Sequence, residues 1–425
     1  MLKGLANAFR VPELRKKLLL TAAILLLYRF GAHLPVPGAP FQDMLGAYES
    51  GASSSGAMAV LNLFSGGALS RMSVFSLGIM PYITAQIILQ LMQAVIPSLG
   101  ELAKEGEAGQ RKITQYTRYL TIGLGLLNAV GYLFLFKSYG VSFQNMGIPE
   151  VLANFIVVFT MLVGAIIIMW LGEVITQRGV GNGMSLIIFA NIMAGLPSSL
   201  ISSVTSTNNI LLTVITLVVI IAIVPIIIYV ERGQRRIPIQ YAKRVVGRRM
   251  MGGQTTYLPI KVNTAGVVPI IFASAILYLP AQIAVFFPNV GWVQVFANAL
   301  SSGWVNWVLS VVLIVAFAYF YASMVFNPTE TADQLRKQGG FIPGVRPGAA
   351  TAAYIKETID HVTLPGALFM AVLAVVPTII FWFTGNSLIQ AFGGTSVLIM
   401  VGVAMDTLSS IESQLKMHNY DGFFK

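Results

Sequence analysis

Residues Val74 to Val95 read VFSLGIMPYITAQIILQLMQAV, a stretch without a single charged side chain. It is long enough to cross the hydrocarbon core as a helix, which takes about 20 apolar residues. Its polar groups are not scattered: Ile79, Ile83, Gln86, Gln90 and Gln93 follow one another at steps of four and three. At about 100° per residue they share one stripe of a helix. Three amides turned to lipid would each be costly to desolvate. The stripe therefore faces protein, through interhelical hydrogen bonds, or water, in a vestibule with Gln93 towards its cytoplasmic end and the isoleucines near mid-membrane.

The rest of the chain agrees with a bilayer as solvent. Of 425 residues, 56% are hydrophobic and only 10% charged, against about 25% charged in soluble proteins. Ten apolar stretches of spanning length recur: Leu18 to Leu34, Val74 to Val95, Tyr116 to Phe136, Val151 to Leu171, Met184 to Ser203, Ile210 to Val230, Val262 to Ile283, Trp304 to Phe326, Leu364 to Phe383 and Gly394 to Ile411. The expected fold is an all-α polytopic membrane protein with ten transmembrane helices. The first run follows Arg15, Lys16 and Lys17, but its Arg29 and the Pro35-Val36-Pro37 after it do not resemble a cleavage site, so it is read as a retained span.

Basic residues orient the bundle. With the N-terminus inside, and Arg118 taken at the inner end of the third span, every one of the 27 Lys and Arg falls on the cytoplasmic side except Arg29, Arg71 and Lys137. The positive-inside rule then places both termini in the cytoplasm. The sixth connection, residues 231–261, holds Arg232, Arg235, Arg236, Lys243, Arg244, Arg248, Arg249 and Lys261 against Glu231 alone. That exceeds what orienting a helix needs and suits an acidic partner, RNA or protein, or else anionic headgroups. The eighth, residues 327–363, carries GGFIPGVRPG over Gly339 to Gly348, a rigid turn presenting Arg346.

Two further spans carry stripes with an aliphatic residue between polar ends: Thr395, Ile399, Gly402 and Asp406 in the tenth, and Thr264, Ile271 and Tyr278 in the seventh. Ordinary packing explains such stripes as readily as a path does. Before the second span, Asn62 to Arg71 reads NLFSGGALSR, too short to cross; it folds back into the protein as a half-helix or lies at the interface. Arg29, Glu173 and Asp406 sit near span ends, where snorkelling is the default. No ionisable pair lies mid-membrane, which weighs against a small-solute transporter coupled to ions. Cysteine is absent and His33, His361 and His418 stand apart, so a thiolate or histidine metal site has no support. Titratable groups do not converge, so no catalytic residue, cofactor or metal is assigned and an enzyme is the least favoured class.

Several runs closely resemble the SecY family, channel subunits of the bacterial protein-conducting translocase: Leu63 to Arg71 (LFSGGALSR), Gly78 to Ile83 (GIMPYI), Arg178 to Ser185 (RGVGNGMS), Tyr257 to Asn263 (YLPIKVN), Phe341 to Gly348 (FIPGVRPG) and Gly393 to Ser396 (GGTS). The likeness runs in order from about Val11 to the tail. The GxGxG within RGVGNGMS follows no strand and lies at a span end, which speaks against a nucleotide loop.

The resemblance implies an hourglass pore between two pseudo-symmetric halves, residues 1–205 and 206–425, hinged between spans five and six. Its constriction would be Ile79, Ile83, Met184, Ile188, Ile271 and Ile399; branched aliphatics are usual in the family, so Met184 departs from the pattern. The plug would be residues 62–71, with Asn62, Phe64, Ser65, Leu69 and Arg71 as its marked positions, and Arg71 biasing passing charge if it points into the outer funnel. A lateral gate between spans two and three and spans seven and eight would involve Thr84, Ile87 and Ser274, whose hydroxyls either bond across the gate or simply pack. Arg248, Arg249 and Arg346 would dock the SecA motor or the ribosome. The small subunits SecE and SecG, an unfolded preprotein and membrane lipid complete the implied partners, and the implied location is the bacterial plasma membrane.

Overall fold

The computed structural model describes residues 11–38, 65–138, 149–206, 210–241, 244–246, 249–251, 255–286, 290–301, 303–384 and 394–421, together with Phe9, Asn62 and Val141. A backbone taken out of water must satisfy its own hydrogen bonds, and a helix does so within one segment. The helices are α1 (Pro12–Gly31), α2 (Met80–Val95), α3 (Pro97–Lys104), α4 (Glu107–Ser138), α5 (Glu150–Arg178), α6 (Gly183–Ser206), α7 (Ile210–Glu231), α8 (Val268–Phe286), α9 (Gly291–Ser301), α10 (Trp304–Val325), α11 (Pro328–Lys337), α12 (Ala349–Thr384) and α13 (Gly394–Asp421). Each apolar stretch read from the sequence lies largely on one of them. Among the described residues, α4, α5, α10 with α11, α12 and α13 are long and apolar enough to cross a membrane; α2 with α3, bent by 102° at their break, makes a sixth if the pair is one span. The chain is a multi-pass membrane protein.

Several helix ends differ from the hydropathy reading, and two starts move inward for a local reason. α2 starts at Met80 rather than Val74, because Gly78 adopts φ 56° and Pro81 occupies the first turn. Proline is at home in a first turn, where its missing N–H is not needed. Ile79 is consequently the N-cap of α2 and not an interior residue of a helical stripe. α8 starts at Val268 rather than Val262, after Gly266 at φ 62°. Thr264 thus sits in the preceding turn, the stripe through Ile271 to Tyr278 is broken, and the Tyr278 side chain lies outside the described residues. α12 starts at Ala349 rather than Leu364 and runs 36 residues, about 54 Å at 1.5 Å per residue.

The all-α expectation is corrected as well. The sixth connection folds into β1 (Gln234–Tyr241), β2 (Arg244–Val246), β3 (Arg249–Met251) and β4 (Thr255–Lys261), and the eighth supplies β5 (Gly340–Phe341). β1 pairs antiparallel with β4, from Gln234 opposite Lys261 to Gln240 opposite Thr255, and its other edge pairs with β5, Gln240 opposite Phe341. β2 and β3 form a separate ladder. Ile237 and Ile239 of β1 point inward with Ile260, Ile342, Leu335, Ile355 and Ile359, so the sheet caps its own small core against α11 and α12. The period-two burial of β1 was legible in Ile237-x-Ile239 and Leu258-x-Ile260, but the basic composition of the loop masked it.

Asn182 caps α6, its Oδ1 accepting from the Met184 and Ser185 amides at 3.1 and 3.4 Å. Gly181 turns at φ 75°, and the Val180 amide donates to Thr21 Oγ1 of α1 at 3.2 Å. The RGVGNGMS run is thereby a helix-to-helix turn. Val180 packs with Leu14 of α1 and Ile411 of α13, tying together the first helix, this turn and the last helix.

Candidate functional site

The six residues assigned to a constriction are brought together. Ile79 and Ile83 from the start of α2, Met184 and Ile188 from α6, Ile271 from α8 and Ile399 from α13 are all buried, none more than 8% exposed, and all belong to one apolar cluster. Close helix approach seats them. Gly402 has no room for a Cβ because Val267 lies against it, so the Ile399, Gly402 and Asp406 side of α13 faces the base of α8. Gly172 of α5 likewise lies under the Met184 sulfur, so Met184 packs against α5. Gln86, Gln90 and Gln93 are half-buried on α2, and the buried Oε1 of Gln90 accepts no hydrogen bond. The interhelical bond expected of such an amide is not made at that atom.

The segment before α2 folds back into the protein. Asn62 is helical, and residues 65–71 run as consecutive turns, with Gly66 and Gly67 at φ 66° and 83°. Asn62 organises it: its carbonyl accepts from the Gly67 amide and its Oδ1 from the Ser70 amide, at 2.9 and 3.0 Å. Ser65 is buried, donating its hydroxyl to the Asn62 carbonyl and accepting from the Leu69 amide. Leu69 is fully buried against α4 and α5, among Tyr132, Phe136, Val157 and Met161. Arg71 is half-buried, and Phe64 lies outside the described residues.

Helices α2 and α4 pack against α8. Thr84 and Ile87 on α2 are buried. Ser274 is half-buried and donates its hydroxyl to the Ile270 carbonyl of its own helix, so it makes no bond across that seam. Of the docking arginines, Arg346 is exposed where the chain leaves the turn Ile342 to Val345, closed by the Val345 amide on the Ile342 carbonyl with Gly344 at φ 81°. Arg249 lies on β3 with its side chain outside the described residues, and Arg248 is itself outside them. Arg232, Arg235 and Arg236 are exposed at the end of α7 and on β1. Sequence reading passed over Asn263, whose buried amide donates to Glu231 at 2.9 Å and to the Gly266 carbonyl at 3.1 Å, joining the sheet to α7 and α8.

Snorkelling fails for two of the three charges near span ends. Glu173 is buried on α5 in a two-pronged pair with Arg118 of α4, Nε to Oε1 at 2.9 Å and Nη2 to Oε2 at 2.5 Å. A bidentate fork neutralises a carboxylate where water cannot. Arg29 of α1 donates from Nη1 to the Gly66 carbonyl at 2.7 Å. Asp406 remains exposed. Lys137 pairs with Glu150 at 2.6 Å. Among the described residues no group of three or more His, Asp or Glu side chains is arranged to hold a metal.

A family model described as SecY matches residues 73–408. The chain is 45% identical to the protein translocase subunit SecY of Streptomyces galbus, all of both chains being covered, and 45% identical over equal coverage to that of Mycobacterium tuberculosis. Among solved structures it resembles a protein conducting channel at TM-score 0.63, with 19% identity and 93% and 91% of the two chains covered. It also resembles a SecY whose plug domain stabilizes the closed state of the translocation channel and maintains a membrane seal, at TM-score 0.59, 20% identity and the same coverage. Sec61 in a canine ribosome-channel complex from the endoplasmic reticulum follows at TM-score 0.58, 18% identity, 93% and 91% covered. With full-length identity to curated relatives and a family model spanning most of its length, the chain belongs to the SecY family.

Proposed function

We propose that this chain is the central, non-catalytic subunit of a protein-conducting channel, passing unfolded secretory polypeptides across the bacterial plasma membrane and releasing hydrophobic segments sideways into lipid. The observation that carries the reading is the convergence of Ile79, Ile83, Met184, Ile188, Ile271 and Ile399 from four helices into one buried cluster. Apolar side chains offer hydrated ions no hydrogen bonds, so a narrow aperture lined by them dewets and blocks. The same side chains part around a polypeptide and close behind it, because their contacts are non-directional and individually weak. The segment 62–71, with its turns at 65–71, is the plug, in keeping with the relative whose plug maintains a membrane seal.

In this reading ten spans cross with both termini in the cytoplasm, residues 1–205 and 206–425 are the two halves of an hourglass, and they part on a hinge between spans five and six. The seam of α2 and α4 with α8 and α10 is the lateral gate; Thr84, Ile87 and Ser274 line it by packing. The sixth and eighth connections dock the SecA motor or the ribosome through Arg248, Arg249 and Arg346, the ribosome being the partner of the canine relative. SecE and SecG are its membrane subunits. No cofactor is used, and energy comes from SecA, the ribosome or the proton-motive force.

Reconstitution tests the whole. Vesicles holding the chain with SecE, SecG and SecA should render an unfolded secretory polypeptide resistant to added protease in an ATP-dependent manner. Absence of protection with every partner set would falsify the channel reading.

A further inference from the structure

An arginine in the last turn of a span is ordinarily drawn to water or to an acid. Arg29 of α1 does neither: it is half-buried, pairs with no carboxylate among the described residues, and donates from Nη1 to the backbone carbonyl of Gly66 at 2.7 Å. Gly66 is shaped for that contact. It sits at φ 66°, and a Cβ on it would lie 2.6 Å from Asn191 Oδ1 and 2.9 Å from Arg29 Nη1. Asn191 is fully buried on α6, next to the fully buried Tyr28 of α1, whose ring stacks on Phe75 at 5.6 Å. The run of turns is therefore clasped between α1 and α6 at its glycine.

Its other end is fastened differently. The Val36 amide donates to the Met72 carbonyl and the Val74 amide to the Leu34 carbonyl, at 3.0 and 2.9 Å, with a bridge between Pro35 and Ser73. Met72 holds φ 42°, a left-handed conformation for a residue with a side chain. The base is thus stitched to the exit of α1 by backbone bonds, whereas the tip is held to α1 by one directed bond from a charged side chain.

We propose that Arg29 is the positioning residue of the plug: its guanidinium latches the Gly66 carbonyl in the closed state and releases it when another acceptor takes the guanidinium, while the base at residues 34–36 and 72–74 stays in place. The proposal rests on the plug reading above. A backbone carbonyl is offered by every polypeptide, so the exchange works for any entering chain whatever its sequence. After passage the Gly66 carbonyl returns.

The test compares resting ion flux through vesicles holding the full chain with its membrane subunits, in four forms: parent, Arg29→Gln, deletion of residues 62–71, and both changes together. Losing a hydrogen bond to a charged group shifts an equilibrium by about 10- to 100-fold, so Arg29→Gln should raise resting flux by about that factor, up to the level of the deletion. The double change should leak no more than the deletion alone, a ceiling that a merely structural role for Arg29 would not produce. Gly66→Ala, which disturbs the same contact without altering α1, should leak as Arg29→Gln does and serves if that variant fails to assemble. Parental flux in both single variants beside a leaking deletion overturns the latch and leaves the plug standing. A deletion as tight as the parent overturns the plug reading and the latch with it. Extra leak from Arg29→Gln on top of the deletion overturns the latch by placing the arginine's effect elsewhere.

Discussion

The proposed waist and the strand platform of this molecule are built on opposite principles. At the proposed waist, Ile79, Ile83, Met184, Ile188, Ile271 and Ile399 belong to one buried apolar cluster that continues into most of the bundle. In the platform, β4, β1 and β5 are locked by a backbone ladder in fixed register, and Asn263 and Glu231 bolt that ladder to the helices. Aliphatic contacts are numerous, small and indifferent to orientation, which suits a surface that must separate and reseal. Hydrogen-bond ladders are directional, which suits one that must hold arginines at a constant spacing. The contrast teaches that the proposed seal, set in a large apolar cluster, and the proposed dock, set over a small one, differ in what they ask of geometry.

Five substitutions probe the contrast, with Ile83→Leu as a control. Ile83→Asn attacks the waist at its centre: lost aliphatic contact and a buried amide without partners together cost the closed state about 3–5 kcal/mol. Resting conductance of reconstituted channels should rise more than 100-fold, and Ile83→Leu, which keeps volume and apolarity, should remain tight. Unchanged conductance in Ile83→Asn would reduce the cluster to ordinary helix packing, since a closed ring and a plain core bury the same atoms. Ile271→Ser is the companion from the other half and should leak in the same direction.

Ile239→Ala attacks the platform. The side chain is 3% exposed beneath β1, and its truncation should cost about 2–4 kcal/mol of local stability. SecA-dependent or ribosome-dependent export should fall while the resting membrane stays sealed; a leak from this variant would mean that waist and platform are one cooperative unit. Arg118→Met removes the partner of the buried Glu173 carboxylate. Because the arginine side chain is 41% exposed, solvent moderates the cost to about 1–3 kcal/mol, read as a lowered thermal midpoint in detergent with unaltered conductance. The smallest effect belongs to Arg346→Glu, an exposed charge on the turn. Docking should weaken several-fold, worth about 1 kcal/mol, and the loss should shrink as salt is raised. Normal export with Arg346→Glu would remove it from the docking surface.

Legibility varied residue by residue. The apolar runs of α4 and α5 are long, and each lies within its helix, although α4 starts nine residues before its run and α5 ends seven after it. Ile83 and Ile271 were recognisable as buried because each lies mid-way along such a run. The start of α2 was misjudged by six residues, since hydropathy does not register that Gly78 turns the backbone and Pro81 restarts it. β1 was missed because eight basic residues in the connection outweighed two inward isoleucines in the reading of its pattern. Arg118 with Glu173 and Arg29 with Gly66 were invisible for a different reason: the partners stand 55 and 37 residues apart, and one sequence contains no record of which distant groups meet.

Hydrophobicity, charge placement and short motifs are additive along the chain, so the solvent, the approximate helices and the family could all be read from residues in order. Which carbonyl Arg29 holds, whether Glu173 reaches water, and how β5 comes to lie beside β1 depend on three-dimensional closure. Those outcomes were decided only when the folded bundle set Arg29 against Gly66, Glu173 against Arg118 and β5 against β1.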